Sequence, residues 1–461
     1  MSSRVLAVWN PEDAQFWEQQ GKAIAYRNLW ISIPSLFLSF AVWMVWSVVV
    51  VNLQSIGFSF DADKLFWLAA LPGLSGATLR IFYSFMVPIF GGRVWTTIST
   101  ASLLIPAVGI GFAVRDPGTS YTTMLLLAFL CGLGGGNFAS SMSNISFFFP
   151  KALKGTALGL NAGLGNLGVS VMQFLVPLVI TTGTFRALCG EPQVCVVKGV
   201  STSVWMQNAG FIWVPFIALS TLAAWFGMND IAEAKASFKE QSVIFKRKHN
   251  WIMCWLYLGT FGSFIGYSAG LPLLIKSQFP AVNPMQYAFL GPLVGALLRP
   301  VGGWIADKLG GARVTFWNFV AMTAAAFGVL HFLPSHGDPG SFWGFLTMFI
   351  LLFVTTGIGN GSTFRMIPVI FLTERQRAAG DLRREAQAKA AAEAAKEAAA
   401  VLGFCSAFAA YGAFFIPKAF GSSITLTGAP HAALYGFLAF YVSCIGLTWY
   451  CYSRRNAEMP C

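Results

Sequence analysis

The chain has 461 residues, of which 56% are hydrophobic and only 10% charged; its mean hydropathy is +0.64 and its net charge +12. A soluble domain carries about 25% charged residues, so this composition excludes a water-soluble globular protein and leaves an integral membrane protein with many spans. The apolar runs are long and continuous rather than short and alternating, which favours helices over a closed barrel, the other structure that satisfies its backbone in lipid.

The first 27 residues contain Glu12, Asp13, Glu18, Lys22 and Arg27 and lack an apolar core, so no cleavable signal peptide is expected. Apolar runs then predict twelve spans, at 29–52, 64–89, 94–114, 121–149, 154–182, 204–228, 251–274, 284–306, 313–334, 341–371, 400–420 and 431–453. The long loop at 373–399 is rich in Ala, Glu, Arg and Lys after Gly380, which predicts a helix running into span 11. Cys189 and Cys195 sit in the polar loop between spans 5 and 6, where their spacing permits a disulfide without requiring one. No CxxC, HExxH or His cluster appears, so neither a metal nor a cofactor is expected.

Basic residues set the orientation. The N-terminal segment, the even-numbered loops and the C-terminal tail carry 21 of the 30 Lys and Arg. Under the positive-inside rule both termini and the middle loop are cytoplasmic, and the positive charge faces anionic lipid rather than nucleic acid.

The chain also repeats itself. At an offset of 219, Leu71, Leu74, Gly76, Ala77, Leu79 and Arg80 fall on Leu290, Leu293, Gly295, Ala296, Leu298 and Arg299, and Gly91-Gly92 fall on Gly310-Gly311. This divides the chain into a first half at 1–228, a middle loop at 229–250 and a second half at 251–461, each half with six spans. Parallel six-span repeats are the plan of the major facilitator fold, an all-α membrane architecture of twelve helices in two pseudo-symmetric halves. The run from Gly303 through Asp307 and Lys308 to Gly310 and Arg313 matches that superfamily's cytoplasmic loop pattern. Asp307 is suited to cap a neighbouring helix, and Arg313 to meet head groups. In the first half Pro88 stands where the Asp belongs, which suggests a loop held without the charge.

Arg80 and Arg299 carry the chemistry. A charge at bilayer centre costs about 2.5–3.5 kcal/mol on insertion scales. All 18 Asp and Glu fall in termini, loops or span ends, and Asp307 is about two helical turns from Arg299. The two guanidiniums therefore lack a fixed counter-ion, and in a pseudo-twofold arrangement they would face one another across a cavity that a small anion completes. The guanidinium fork suits planar oxyanions. Phe40, Phe138, Tyr257 and Phe261 could sandwich such an anion, although each by itself is better explained as packing in a chain that is 15% aromatic; Tyr257 is the one whose hydroxyl needs a partner.

Spans 5 and 11 hold Gly-rich seams that suit close, sliding helices. Gly159, Gly163, Gly165 and Gly168 lie in span 5, Gly403 and Gly412 with Ser406 in span 11. Asn166 in the first seam is either an interhelical hydrogen bond or a ligand contact.

Over nearly its whole length the chain resembles the NarK-type nitrate/nitrite porters. The resemblance is most specific at Tyr83-Ser-Phe-Met-Val-Pro-Ile-Phe-Gly-Gly92, at Asn137 to Pro150, and at the two seams. It implies that Arg80 and Arg299 clamp the anion, that Phe138, Asn166 and Tyr257 line the site, and that Phe40 and Phe261 gate it. Ser406 is assigned to the cavity. Arg365 departs from the family pattern, as either a third cavity charge or a residue of the cytoplasmic end.

The expected function is nitrate/nitrite antiport by a monomeric, multi-pass protein of the bacterial cytoplasmic membrane, serving nitrate assimilation. The absence of a mid-span Asp, Glu or His favours exchange over proton symport. A proton-coupled nitrate symporter, an organophosphate exchanger and an anion channel are the rivals; a membrane enzyme is disfavoured because no nucleophile–base pair is visible.

Overall fold

A computed structural model describes residues 4–183, 190–197, 200–232, 242–335, 337–379 and 384–461. Among them twelve helices are long and apolar enough to cross a membrane: α1 Ala14–Ile56, α2 Ala62–Tyr83, α3 Gly92–Ala113, α4 Tyr121–Phe148, α5 Lys151–Thr181, α6 Asn208–Gly227, α7 Lys248–Gln278, α8 Pro284–Leu309, α9 Gly311–Phe332, α10 Phe342–Arg377, α11 Glu397–Thr427 and α12 His431–Ser453. Each overlaps one of the spans expected from hydropathy. Local chemistry sets several boundaries. The carboxylate of Asp61 accepts from the Lys64 N–H to cap α2, and the Ser120 hydroxyl accepts from the Thr123 N–H to cap α4. The Ala- and Glu-rich loop is helical as expected, since one helix, Arg384–Ala410, runs unbroken into α11. Among the described residues there are also two short strand pairs: β1 Val5–Leu6 runs parallel to β4 Asp230–Ile231, and β2 Gln193–Val197 is antiparallel to β3 Val200–Val204. Cys195 in β2 is a buried free thiol, and Cys189 lies outside the described residues.

Contact density divides the chain into two compact units. One comprises Met1–Ala236, Gly266–Leu293 and Ala413–Thr425; the other comprises Ser237–Ile265, Val294–Gly412 and Leu426–Cys461. The boundaries cut through α7, α8 and α11, so the later parts of α7 and α11 and the start of α8 belong with the first six helices.

In the first unit, helices approach to backbone contact. A Cβ on Gly168 of α5 would stand 2.1 Å from the Phe37 carbonyl oxygen of α1, and one on Gly73 of α2 would stand 2.4 Å from the Ala413 carbonyl carbon of α11. Beside the second contact, Lys418 Nζ donates to Asp63 Oδ1 at 2.6 Å and lies over the Trp67 ring at 4.5 Å. Near the start of α3, Arg93 donates through its backbone N–H and its Nε to the Asp230 carboxylate, at 2.8 and 3.1 Å, and lies over the Trp225 ring at 4.6 Å. This corrects the expectation that the first-half loop is held without a charge. The carboxylate missing at Pro88 is supplied by Asp230, which follows α6.

In the second unit, Gly412 of α11 meets α7, where its Cβ would be 2.3 Å from the Gly262 carbonyl oxygen. Arg365 Nε donates to Asp307 Oδ1, and both side chains are about half exposed. Of the two sequence readings, the Arg365 side chain of α10 goes to the Asp307 carboxylate near the end of α8 rather than to the Arg299 group. Asp307 makes an ion pair there, where a helix cap was expected, and Arg313 is exposed. Arg247 bridges Glu374 and Glu397, and Arg375 also holds Glu397.

The seams are not uniform. Gly165 faces the Leu36 side chain at 2.7 Å, and Gly168 and Gly412 face backbone, whereas a Cβ on Gly163 or Gly403 meets nothing within 4 Å. Gly168→Ala and Gly412→Ala are expected to destabilise the protein by about 1–3 kcal/mol through overpacking. Gly163→Ala and Gly403→Ala should be neutral or slightly stabilising through helix propensity. Thermal unfolding in detergent separates the pairs; equal losses at all four positions would contradict this division. The Asp63–Lys418 pair, partly exposed, is worth about 0.2–1 kcal/mol. Asp63→Lys should lower stability, and adding Lys418→Asp should restore it in the same measurement.

Candidate functional site

In the first unit the site is built around Arg80. This residue is fully buried in α2, and its Nε donates to the Gly135 carbonyl oxygen of α4 at 2.9 Å. The Gly-rich run of α4 leaves that carbonyl within reach. The Trp43 ring lies under the guanidinium at 5.2 Å and the Phe138 ring at 4.9 Å. Phe40 is edge-on to Phe138 at 6.1 Å and tilted to Trp43 at 5.7 Å. Two aromatic rings and one carbonyl thus meet the charge, with Phe40 packed behind both rings, a setting in which cation–π attraction is strong because water is excluded.

The same plan is built around Arg299 in the second unit. Its Nη2 donates to the Tyr257 hydroxyl at 3.3 Å, and its guanidinium lies over the Phe364 ring at 5.3 Å. Among the described residues, its buried Nη1 has no hydrogen-bond partner and no carboxylate pairs with it. Tyr257 sits at the entry to a π-helical turn, Leu258–Gly262, which stacks the Phe261 ring on the Tyr257 ring at 5.6 Å and 16°. Such turns interrupt helices mostly at functional positions. The Ser406 hydroxyl is buried and donates to the Gly403 carbonyl oxygen within α11.

Asn166 of α5 is buried, and neither its Oδ1 nor its Nδ2 has a partner among the described residues. A buried amide left unsatisfied costs about 1–3 kcal/mol, so of the two sequence readings the interhelical hydrogen bond is not the one observed. Arg80, Phe138 and Phe40 are brought together in the first unit, and Arg299, Tyr257 and Phe261 in the second. Arg365 and Asp307 stand apart from both groups. Among the described residues, no three His, Cys, Asp or Glu side chains gather as a metal site.

Two residues escaped the sequence reading. Phe364 stands to Arg299 as Phe138 stands to Arg80. Its signal was the pair Gly135-Gly-Asn-Phe138 and Gly361-Ser-Thr-Phe364, at an offset of 226, which is hidden when the runs are registered on Gly132 and Gly357. Trp43 carried a weaker signal: at the offset of 221 that places Phe40 on Phe261 it falls on Phe264, an aromatic but not identical residue.

Comparison with known proteins agrees with this architecture. The Major Facilitator Superfamily model matches residues 35–380. The nitrate/nitrite transporter NarU of Salmonella typhimurium is 54% identical, over 98% of this chain and 97% of its own. The probable nitrate/nitrite antiporter NarK2 of Thermus thermophilus is 44% identical, over 99% and 98%. Among solved structures, a D-xylose–proton symporter shares the fold with a TM-score of 0.64 at 13% identity, over 92% of this chain and 97% of its own. The chain therefore belongs to the Major Facilitator Superfamily, within its NarK-type group, and is a multi-pass membrane protein.

Proposed function

We propose that the protein is a nitrate/nitrite antiporter of the bacterial cytoplasmic membrane, with both termini cytoplasmic, in which Arg80 and Arg299 hold the anion. The observation that carries this reading is the buried Arg299, with its Nη1 unpartnered and no carboxylate beside it among the described residues. A charge in that state calls for an anion from solution. The NarU and NarK2 relatives are a nitrate/nitrite transporter and a probable nitrate/nitrite antiporter, which supports nitrate and nitrite as the anions. Both are flat oxyanions that a guanidinium fork engages through parallel hydrogen bonds.

Exchange follows from electrostatics. Without an anion, the two guanidiniums oppose closure of the six-span halves around them. A bound anion offsets part of that charge and permits reorientation, so the halves rock only when loaded. Asn166 contributes its unpaired amide to the anion, and Tyr257 steadies Arg299 through its hydroxyl.

Arg80→Lys and Arg299→Lys should each abolish exchange, because an ammonium does not replace the fork; near-normal uptake by either would sink the clamp. Tyr257→Phe removes one hydrogen bond to a charged group, worth about 1.5–3 kcal/mol, and should weaken nitrate binding about 10- to 150-fold. The assay is labelled nitrate uptake by pure protein in vesicles loaded with nitrite, with nitrate or with nothing, each with and without an inward proton gradient. Exchange requires internal anion and ignores the gradient. Gradient-driven uptake into empty vesicles would instead establish a symporter.

A further inference from the structure

Helices α3 and α9 hold matching places in the repeat, and over their first turns they bury the same positions. At the offset of 219, Gly92, Arg93, Thr96, Ser99 and Thr100 fall on Gly311, Ala312, Thr315, Asn318 and Phe319. The last pair breaks the likeness. In the second unit Phe319 fills its space, with its ring 2.7 Å from where a Cβ on Gly259 would stand. In the first unit the smaller Thr100 borders a cavity between α1, α3 and α4. Of the ten residues that line it, nine carry a hydroxyl or an amide, one is Leu36, and none is charged. The cavity leaves about 10 Å³ within which the centre of a water molecule can lie.

Two side chains of the lining keep a polar atom without a partner among the described residues. Asn137 Nδ2 donates to Ser39 Oγ at 2.7 Å and to the Ser99 carbonyl oxygen at 3.4 Å. The Ser39 hydroxyl gives its own proton to the Ser35 carbonyl oxygen at 2.7 Å. Both neighbours can therefore only accept, which fixes the orientation of the amide and leaves Asn137 Oδ1 as an unused acceptor. Thr100 is fully buried, and its Oγ1 has no partner either. We propose that this cavity is a binding site for one water molecule, held by Asn137 Oδ1 and Thr100 Oγ1. Water donates to the amide oxygen and can either donate to or accept from the hydroxyl. A polar space of this size with at least two partners is what a buried water requires. An anion would be repelled by the Asn137 oxygen, and a metal cation would lose its hydration with no carboxylate in the lining to offset the cost. The water ties α3 to α4 at the residue between Gly135, whose carbonyl meets Arg80, and Phe138. The site stands whether or not Arg80 binds an anion.

Thermal unfolding of the full chain in detergent reads the site by the sign of one substitution. Thr100→Val keeps the shape of the side chain and removes its hydroxyl. With water bound, the change deletes one of the water's partners and should lower the unfolding midpoint by about 1–3 °C. In a dry cavity it would remove a buried hydroxyl that has no partner, so the midpoint would rise or stay the same; that result would overturn the proposal. X-ray radiolysis of the wild type reads the water directly, because it oxidises side chains beside bound water that bulk solvent does not reach. Leu36 lines the cavity and is 1% exposed, whereas Leu426 is 83% exposed and serves as the reference. Oxidation of Leu36 relative to Leu426 is expected in the wild type and should be largely lost in Thr100→Val. No oxidation of Leu36 in the wild type, or equal oxidation in both proteins, would contradict water held by Thr100. The midpoint is also compared in sodium chloride and in choline chloride of equal strength. A saturable rise in sodium, seen in the wild type and absent from Thr100→Val, would assign the cavity to a cation and overturn the proposal; equal midpoints in the two salts are expected.

Discussion

A guanidinium inside an apolar span is the constraint on which the rest of this structure turns. Its desolvation has to be offset, and the means chosen decides what the residue can do. A carboxylate beside it would neutralise the charge and leave nothing to attract an anion. Arg80 is instead met by a carbonyl oxygen and the rings of Trp43 and Phe138, and Arg299 by a hydroxyl and the ring of Phe364. Dipoles and π faces stabilise a cation without cancelling it. This requirement accounts for Trp43 in α1, Gly135 and Phe138 in α4, Tyr257 in α7 and Phe364 in α10.

The arginines near the helix ends follow the opposite rule. Arg93 is paired with Asp230, Arg365 with Asp307, and Arg247 and Arg375 with Glu397. The exposed Arg365–Asp307 pair adds little to stability, whereas Arg93, Asp230 and Glu397 are buried, where removing one partner leaves a costly lone charge. Their work is geometric. The Arg93–Asp230 bond fixes the turn into α3 from a point beyond α6, and β1 pairs with the strand that contains Asp230. One residue type is therefore met by dipoles and rings in one environment and by carboxylates, as a brace, in the other, and the identity of the partner separates the two.

That partner is what the sequence conveys unevenly. The spans were legible because length and hydropathy are one-dimensional properties, and the helix leading into α11 because Ala and Glu propensity is local. Arg80 and Arg299 were legible because a repeat displays them twice. Asp230 as the counterpart of Arg93 was not, since the two residues are 137 positions apart and no pattern links them. Phe364 was obscured by a one-residue difference in register between α4 and α10. Arg365 stayed open between the cavity and the cytoplasmic end because its span is apolar on both sides; only the fold brings Asp307 to it.

The glycines show why the remainder of the site needed coordinates. In a membrane sequence every glycine announces a missing side chain and nothing more. At Gly168 the space is filled by another helix's backbone, at Gly163 and Gly403 by nothing within 4 Å, and at Gly76 by an indole. These have different energetic consequences: close dispersion contact in the first case, little in the second, and in the third the seating of a ring under a buried charge. Period and composition are the same in all three. A glycine is functional here when the group that enters its space touches the site, which is a property of the neighbouring helix and is recorded in that helix's sequence rather than its own.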